Sequence, residues 1–336
     1  MKEKRKTGFL LTAFVLAFLI TLVLSESMLR IAGYSPWKKL KIFPANTPIM
    51  HQYDHKLGWK NKPGKYKVPP FSENGKEACV TLLQGGNRDC GYEGESGKAD
   101  QVVIVGGSYT VGWGLSDDET FAWLLQRRIP SIEVLNYGTA GYGTYQSLLT
   151  LEAVLKKISR PRVVLYGFML HHKDRNVASF DWLELLRKIS RAGIIDVPYC
   201  TLEKGLLTKH EPEGFISLPL SDRLALVAFV EKTWMRHKTR RRVECKNEVT
   251  KRLLIEMNQV AKNYGARFLV SIFQSEKSCK KELMEFMGQN DIIYIDNDFE
   301  MTEEFVIQGD GHPNARMNAK WIDGIEVSAR RYLKDD

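Results

Sequence analysis

The sequence lacks the residue spacings that hold metals or dinucleotides. It contains five cysteines and seven histidines in 336 residues, without a Cys-x-x-Cys pair or a closely spaced Cys/His set. His51 and His55 are four residues apart, but the loop-like HQYDH stretch around them predicts two surface residues. The stretch GGSYTVG does not follow the dinucleotide pattern Gly-x-Gly-x-x-Gly, and no internal repeat or low-complexity tract occurs. We therefore expect no metal and no other cofactor.

Charged residues are absent from positions 8–24, GFLLTAFVLAFLITLVL, which follow the basic opening MKEKRKT. With its flanks, and at about 1.5 Å per residue, this helix is about the shortest that spans a bilayer. A cleaved signal peptide has a shorter apolar stretch and a small-residue cleavage site, whereas SESMLRIAGY follows here. Residues 1–30 are thus predicted to be a cytoplasmic tail and a single-pass signal anchor.

The charge distribution around this anchor predicts its orientation. The basic N-terminus favours the cytoplasm and places the body outside, in the periplasm or extracellular space. Basic residues also follow the span and reduce the asymmetry; they are Arg30, Lys38, Lys39 and Lys41. The net charge of +9 favours anionic partners such as lipid headgroups or acidic glycans. Nucleic acid is not expected behind a membrane anchor.

The five cysteines would then lie where disulfides form. Cys79 and Cys90 flank a glycine-rich loop and are the predicted pair. An odd number leaves at least one thiol without a partner within the chain, and the sequence does not determine the connectivity. The other three are Cys200, Cys245 and Cys279.

The rest of the chain divides into two parts. Residues 31–100 combine short alternating runs with turn residues, which predicts a small β-rich lead-in. From residue 101 to 336, apolar strands alternate with amphipathic helices. The predicted strands are 102–106, 133–137, 163–170, 267–273 and 292–296; the predicted helices are 119–128, 145–158, 249–264 and 315–333. This alternation predicts an α/β fold of flavodoxin-like type, with three layers and a five-stranded parallel sheet between helices.

A long insertion interrupts the alternation at residues 176–248. It contains two helical stretches, FDWLELLRKISRAG and SDRLALVAFVEKTWMRHKTRRR, separated by a segment with proline and glycine. Insertions of this size at the ligand-binding edge of a sheet commonly shape access to a site. The basic run at residues 236–242, RHKTRRR, is read as a solvated helix end or as a grip for a polyanion.

A candidate nucleophile ends the first strand of the α/β part, in residues 102–114, VVIVGGSYTVGWG. A continuous Val/Ile run is typical of a parallel strand buried on both faces, and the glycines after it allow a sharp turn. Ser108 therefore lies at the sheet edge where ligands bind in open α/β folds. By itself this pattern also fits a serine in an ordinary strand-to-helix turn.

A base and an acid for this serine occur near the C-terminus. His312 and Asp310 lie in QGDGHPNARMNAKW, which follows the last predicted strand and so returns to the same sheet edge. A serine nucleophile needs a base, an acid that orients the base, and donors for the oxyanion. The order differs from α/β-hydrolases, because Thr110 replaces the second glycine of Gly-x-Ser-x-Gly and acid and base share one loop.

These blocks together resemble the SGNH (GDSL-like) hydrolase and acyltransferase superfamily over residues 101–332. The preceding LGW…PG stretch resembles its membrane-anchored bacterial members. The resemblance implies Ser108 as nucleophile and oxyanion donor through its own N–H. It implies Gly141, in LNYGTAGYGT, as a second donor, and Asp310 and His312 as the acid–base pair.

The sequence departs from the family pattern at three places. Gly107 replaces the usual aspartate before the serine, and the acid lies two residues before the histidine because the three-back position is Gly309. In RPRVVLYGFMLHHKDRN, His172 stands where the oxyanion-binding asparagine belongs; His171 takes this place if the register slips by one. A neutral imidazole can donate one such hydrogen bond. Neighbouring polar residues are interpreted as loop supports: Asn136, Arg175 and Asn176.

The predicted function is a membrane-anchored, extracytoplasmic serine esterase or O-acyltransferase with an acyl-serine intermediate. The expected substrate is an acyl ester, foremost an acetyl ester, of a cell-envelope glycan. Gly107 and His172 favour an alternative, a catalytically weak module of the same fold that binds a glycan or an envelope partner. The basic run at 236–242 suggests a third, polyanion binding. The sequence leaves the acceptor and the oligomeric state open.

Overall fold

A computed structural model describes residues 2–191, 193 and 196–333. Its centre is a parallel sheet of five strands in the order β11-β10-β7-β5-β6. The predicted α/β fold and strand number are therefore confirmed, and the three central strands are buried on both faces, as their continuous apolar runs predict. These strands are β5 (Asp100–Gly106), β6 (Ile132–Asn136), β7 (Pro161–Met169), β10 (Arg267–Gln274) and β11 (Ile293–Asp296).

Helices cover both faces of this sheet and complete the three layers. Alternate strand residues such as Val103 and Val105 pack against one helical layer, and Val102 and Ile104 pack against the other. The first layer consists of α4 (Thr144–Leu155), α8 (Lys246–Asn263) and α9 (Lys277–Gln289). The second consists of α3 (Phe121–Arg128) and α10 (Ala315–Leu333). The prediction missed α9 and placed the other four within a few residues.

The lead-in consists of two antiparallel hairpins that pack beside the sheet. They pair β1 (His51–Asp54) with β2 (Gly58–Asn61) and β3 (Gly64–Val68) with β4 (Ala78–Leu82). Arg88 forms bridges to Leu82 and to Asn136, so the second hairpin adjoins the edge strand β6. The β-rich character agrees with the sequence pattern, whereas the boundaries at residues 30 and 100 stay predictions.

The insertion contains the two expected helices and one hairpin that the sequence did not predict. The helices are α6 (Phe180–Ile189) and α7 (Ala225–Glu244), and the short α5 (His172–Asn176) precedes them. The hairpin pairs β8 (Val197–Glu203) with β9 (Leu206–Glu213). The hairpin lies in the segment with proline and glycine, and its Val197 and Cys200 side chains are fully buried against the body.

The N-terminal helix α1 (Lys2–Ile31) projects from the body. Within its segment Lys6–Ile31, the most apolar window of 18 residues has a mean hydropathy of 2.5, and none of that window is buried in the protein. It is long and apolar enough to cross a membrane, properties that an N-terminal signal sequence shares. Membrane anchoring and its orientation are therefore proposals below.

Two expectations about single residues are wrong. Cys79 and Cys90, the predicted pair, are both free thiols. Cys79 lies on the exposed face of β4, whereas the Cys90 side chain is buried in the core, so their sulfurs face different environments. His51, expected at the surface, is partly buried, and burial lowers its pKa to about 4; His55 is exposed as expected.

Candidate active site

Ser108 begins a short helix directly after β5, as the Val/Ile–Gly pattern predicts. This helix is α2 (Ser108–Val111), and Ser108 is buried with 5% of its surface exposed. Gly106 before it has φ +155°, and a Cβ there would meet the Thr110 side chain at 2.2 Å. The sharp turn thus requires glycine. Within the part of the chain that the structure describes, the Ser108 N–H has no acceptor and remains available to a ligand.

Asp310 and His312, predicted as acid and base, form a hydrogen-bonded pair in one tight loop. His312 Nδ1 lies 2.5 Å from Asp310 Oδ2, and the His312 carbonyl accepts a hydrogen bond from the Ile307 N–H at 2.7 Å. Gly309 cannot carry a side chain, because φ is +85° and a Cβ would lie 2.3 Å from the Phe71 carbonyl oxygen. The acid therefore has to lie at the two-back position, Asp310.

The fold brings this pair next to the nucleophile turn. The His312 ring packs edge-on against Tyr109, the residue after Ser108, with centroids 5.7 Å apart. Trp113 contacts the same imidazole at 6.3 Å, and its Nε1 donates to Asp310 Oδ1 at 3.4 Å. No hydrogen bond joins the Ser108 hydroxyl to His312 among the described residues. Such contacts are often long without substrate and tighten when it binds.

Gly141 lies in the loop after β6, and its N–H has no acceptor among the residues that the structure describes. Its φ is +86°, and a Cβ would meet the Trp59 ring at 2.8 Å, so only glycine fits. Trp59 Nε1 donates to the Ala140 carbonyl at 2.9 Å, and the Tyr142 hydroxyl donates to the Trp59 carbonyl. The lead-in thereby holds the loop that presents this candidate oxyanion donor.

His172, and not His171, points into the site. The His172 side chain is fully buried, whereas His171 is exposed at the surface. Nδ1 of His172 lies 2.6 Å from the Tyr166 hydroxyl. Nε2 has no partner among the described residues and lies 2.7 Å from the position of a Cβ on Gly107. Burial, reinforced by the charges of Arg175 and His171, lowers the pKa of His172 well below its usual value, so the ring is neutral.

This geometry explains the glycine before the nucleophile. An aspartate at position 107 would place its Cβ against His172 Nε2, whose ring is buried and therefore unable to yield cheaply. The residue at position 107 is thus limited by the His172 side chain. The His172 imidazole occupies the space that a side chain at position 107 would need.

Arg175 brings an uncompensated positive charge to the same place. Its side chain is buried at 9% exposure, and within the described chain no carboxylate pairs with it; the adjacent Asp174 binds Lys246 at 2.9 Å. Nη1 donates to the Tyr142 carbonyl at 2.9 Å, and the guanidinium stacks on Trp182 at 4.6 Å. Burial lowers its pKa to about 10, which leaves it charged at neutral pH. A buried cation beside a nucleophile favours any negative charge that develops there.

Two residues outside the predicted site, Trp113 and Arg88, support it. Trp113, from the motif around Ser108, packs against Phe43 and Phe71 of the lead-in. Arg88 is almost fully buried; it pairs with Asp117 at 2.8 Å and donates to three carbonyls after α2. These carbonyls belong to Val111, Gly112 and Leu115. Helices and strands can be predicted from the periodicity of neighbouring residues. The partners of a buried arginine in a glycine-rich loop cannot, because they lie in other segments of the chain.

Within the described residues, no group of three His, Cys, Asp or Glu side chains is arranged to hold a metal ion. What the site contains is a hydroxyl, a His–Asp pair, two free backbone N–H groups, a neutral imidazole and a guanidinium. These groups suit acyl transfer through serine, because they supply a nucleophile, a base and stabilisation of an oxyanion.

Several solved structures share a distant likeness with the chain. The TesA structure is 15% identical, with 70% of this chain and 100% of that chain covered and a TM-score of 0.41. The psychrotrophic esterase EstA from Pseudoalteromonas sp. is 12% identical, with 70% and 100% covered and a TM-score of 0.42. A G-D-S-L family lipolytic protein from Veillonella parvula is 13% identical, with 69% and 100% covered and a TM-score of 0.39. No family model and no curated relative matches the sequence.

Proposed function

We propose that the chain is a serine carboxyl-ester hydrolase or O-acyltransferase that forms an acyl-serine intermediate. The observation that carries this proposal is the convergence of the Asp310–His312 pair on the turn that holds Ser108. These residues lie about two hundred positions apart in sequence and meet at one edge of the sheet. A structural turn serine has no need of such a pair.

The mechanism assigns one step to each group. The Ser108 hydroxyl attacks the ester carbonyl while His312 accepts its proton, and Asp310 holds the imidazole and stabilises its positive charge. The N–H groups of Ser108 and Gly141, together with His172 Nε2, donate to the oxyanion. His312 then returns the proton to the leaving alcohol. Water or a sugar hydroxyl releases the acyl group in the second half, which distinguishes esterase from transferase.

The substrate we propose is an acyl ester, foremost an acetyl ester, of a cell-envelope glycan outside the cytoplasm. Support comes from α1, which is long and apolar enough to anchor the body at a membrane. The basic N-terminus before it favours an extracytoplasmic body. The site itself offers Ser108 at only 5% exposure, which suits a small acyl group better than a bulky one.

The first prediction tests the nucleophile and its base. In detergent-solubilised full-length protein, Ser108→Ala and His312→Ala should each lower turnover of p-nitrophenyl acetate to background. A fluorophosphonate should label Ser108 in wild type. Ser159→Ala, an exposed serine bonded to the Gly97 carbonyl, is the matched control and should retain full activity. Wild-type turnover equal to that of Ser108→Ala across several acyl chain lengths would contradict the enzyme.

The competing function is a non-catalytic module that binds a glycan or an envelope partner. The absent hydrogen bond between the Ser108 hydroxyl and His312, noted above among the described residues, favours it. Fluorophosphonate treatment of folded protein separates the two, because a binder gives no adduct and an enzyme gives a stoichiometric one.

A further inference from the structure

An exposed apolar loop precedes α7 in the insertion. It comprises residues 216–220, ISLPL, in which Ile216 is 38%, Leu218 39% and Leu220 51% exposed. Leu220 has φ +67°, a conformation that a leucine rarely adopts unless the surrounding structure imposes it. A contiguous exposed apolar surface is typical of a site that contacts a protein or a membrane.

Buried charges hold this loop in place. Glu231 is almost fully buried, accepts a hydrogen bond from the Leu218 N–H and pairs with Arg187 at 2.7 Å. Arg187 also donates to the Ile216 carbonyl at 3.2 Å and to the Ser221 hydroxyl at 2.8 Å. The fold itself therefore presents these apolar side chains to the outside.

The loop lies beside the end of α1 that is attached to the body. The Leu220 carbonyl accepts from the Arg223 N–H at 2.9 Å, and the Arg223 carbonyl accepts from the Arg30 side chain at 2.9 Å. Glu26, which binds the first N–H groups of α7, lies two residues beyond the charge-free run 8–24, or about 3 Å along the helix. The loop thus adjoins the part of α1 that would lie at the surface of a bilayer.

The charge around the loop favours lipid as its partner. Segments 30–41 and 216–223 contain one acidic residue, Asp222, and five exposed basic residues, which are Arg30, Lys38, Lys39, Lys41 and Arg223. A second copy of the chain would bring the same positive charges and be repelled. A bilayer takes up the apolar side chains, and its anionic headgroups attract the basic ones.

We propose that Ile216, Leu218 and Leu220 enter the headgroup region of the bilayer that α1 spans, as a second membrane contact made by the body. The inference rests on the membrane anchoring in the proposed function and adds to it the orientation of the body.

Helix α6 connects this contact to the candidate site. Arg187, which holds the loop, lies five residues after Trp182 on α6, or about 8 Å along the helix. The Trp182 ring in turn lies 3.5 Å from the position of a Cβ on Gly141. Docking of the loop therefore holds the candidate site at a fixed distance from the lipid surface.

Photo-crosslinking tests this contact with the full-length chain in nanodiscs of phosphatidylcholine and phosphatidylglycerol. A p-benzoylphenylalanine in place of Leu220 should form lipid adducts that mass spectrometry detects, and so should one in place of Leu16, within α1. The control position is Val327, which is 72% exposed on α10 and should form none.

The outcomes separate docking from anchoring. Lipid adducts at position 16 without adducts at position 220 would overturn the docking and leave the anchoring intact, as would cross-links from position 220 to a second copy of the chain. The absence of adducts at both positions would refute the anchoring and the docking together. None of these results depends on turnover of an ester.

A substitution in the loop measures the same contact. With p-benzoylphenylalanine at position 218, Leu220→Gln should lower the yield of lipid adducts roughly 3- to 10-fold, because about half of a leucine side chain would leave an apolar environment. Val327→Gln is the matched control and should leave the yield unchanged. Both variants should retain p-nitrophenyl acetate turnover in detergent, since both side chains are exposed. A yield that Leu220→Gln does not alter would refute the contact.

Discussion

At the scale of single residues, the site is organised around the contact between Gly107 and His172. Gly107 has an ordinary φ of −91°, so backbone strain does not require glycine at this position. The requirement is steric, because the imidazole Nε2 occupies the space next to Cα. Glycine here therefore depends on the identity of residue 172.

The second prediction follows from this dependence. Gly107→Ala should lower the free energy of unfolding by roughly 1–3 kcal/mol, as overpacking of a buried site does, and should reduce kcat by displacing His172. In the His172→Asn background, where the side chain at position 172 is smaller, Gly107→Ala should lower the free energy of unfolding and kcat much less. Urea unfolding and p-nitrophenyl acetate turnover measure the two effects. A cost independent of residue 172 would show that the steric explanation is wrong.

At the scale of elements, the lead-in hairpins act as a scaffold for the catalytic loops. β2 supplies Trp59 to the Gly141 loop, and Phe71 contacts both Trp113 and the loop of Asp310 and His312. Arg88 forms a bridge with Leu82 at the end of β4 and donates a hydrogen bond to the Val111 carbonyl at the end of α2. The lead-in thus supports the loops of the candidate site.

The third prediction concerns Arg88 as the link between these elements. Arg88→Met leaves Asp117 without its buried arginine partner and removes the guanidinium donors from the Val111, Gly112 and Leu115 carbonyls. It should lower the free energy of unfolding by about 3–5 kcal/mol, the range for a broken buried pair. Hydrogen exchange should accelerate in residues 111–117. Lys76→Met is the control, because it breaks an ion pair with Glu119 in which the lysine is exposed. It should lower the free energy of unfolding by less than about 1 kcal/mol. Equal losses of stability in Arg88→Met and Lys76→Met would argue against the role of Arg88.

At the scale of the whole molecule, the N-terminal helix is attached to the insertion. The Glu26 carboxylate accepts hydrogen bonds from the N–H groups of Ala225 and Leu226 at 2.9 and 2.8 Å, at the start of α7. Arg30 donates to the Arg223 carbonyl at 2.9 Å. If α1 spans the membrane as proposed, these contacts hold the body beside the membrane surface.

The fourth prediction concerns stability as a function of pH. Burial lowers the pKa of His51 to about 4 and that of His172 well below its usual value, aided at His172 by Arg175 and His171. Below a pH of about 6.5 the unfolded chain binds protons that the folded chain does not, so stability is full above that pH and falls as the pH drops. Each histidine contributes a slope of about 1.4 kcal/mol per pH unit.

Urea unfolding at pH 7.5 and 5.5 measures this slope. His51→Gln should reduce it by one proton's contribution, because glutamine does not titrate. The exposed neighbour Gln52 gives the control, since Gln52→Ala removes no titratable group and should leave the slope unchanged. Identical slopes in wild type and His51→Gln would contradict the buried, neutral state of His51.

The sheet and most helices of the α/β part were predictable from local patterns. Runs of Val and Ile and the 3.6-residue periodicity of apolar residues indicate which faces are buried, and they can be recognised from a few neighbouring residues. The structure has five strands where they were expected. The hairpin β8–β9 and the free thiols were not predictable. Their outcome depends on which distant surfaces cover Val197, Cys200 and Cys90.

Residue types and chain order alone predict the chemical groups of the candidate site: a serine after a buried strand, and an aspartate and a histidine in one loop near the C-terminus. Chain order and residue type are sufficient for this, because parallel strands bring their carboxyl ends to one edge. Only the tertiary structure decided that Trp59 holds the Gly141 loop and that His172 faces Gly107 with Tyr166 behind it. The physical reason is that hydrogen-bond direction and steric exclusion depend on atoms from separate elements, whose distances no local pattern encodes.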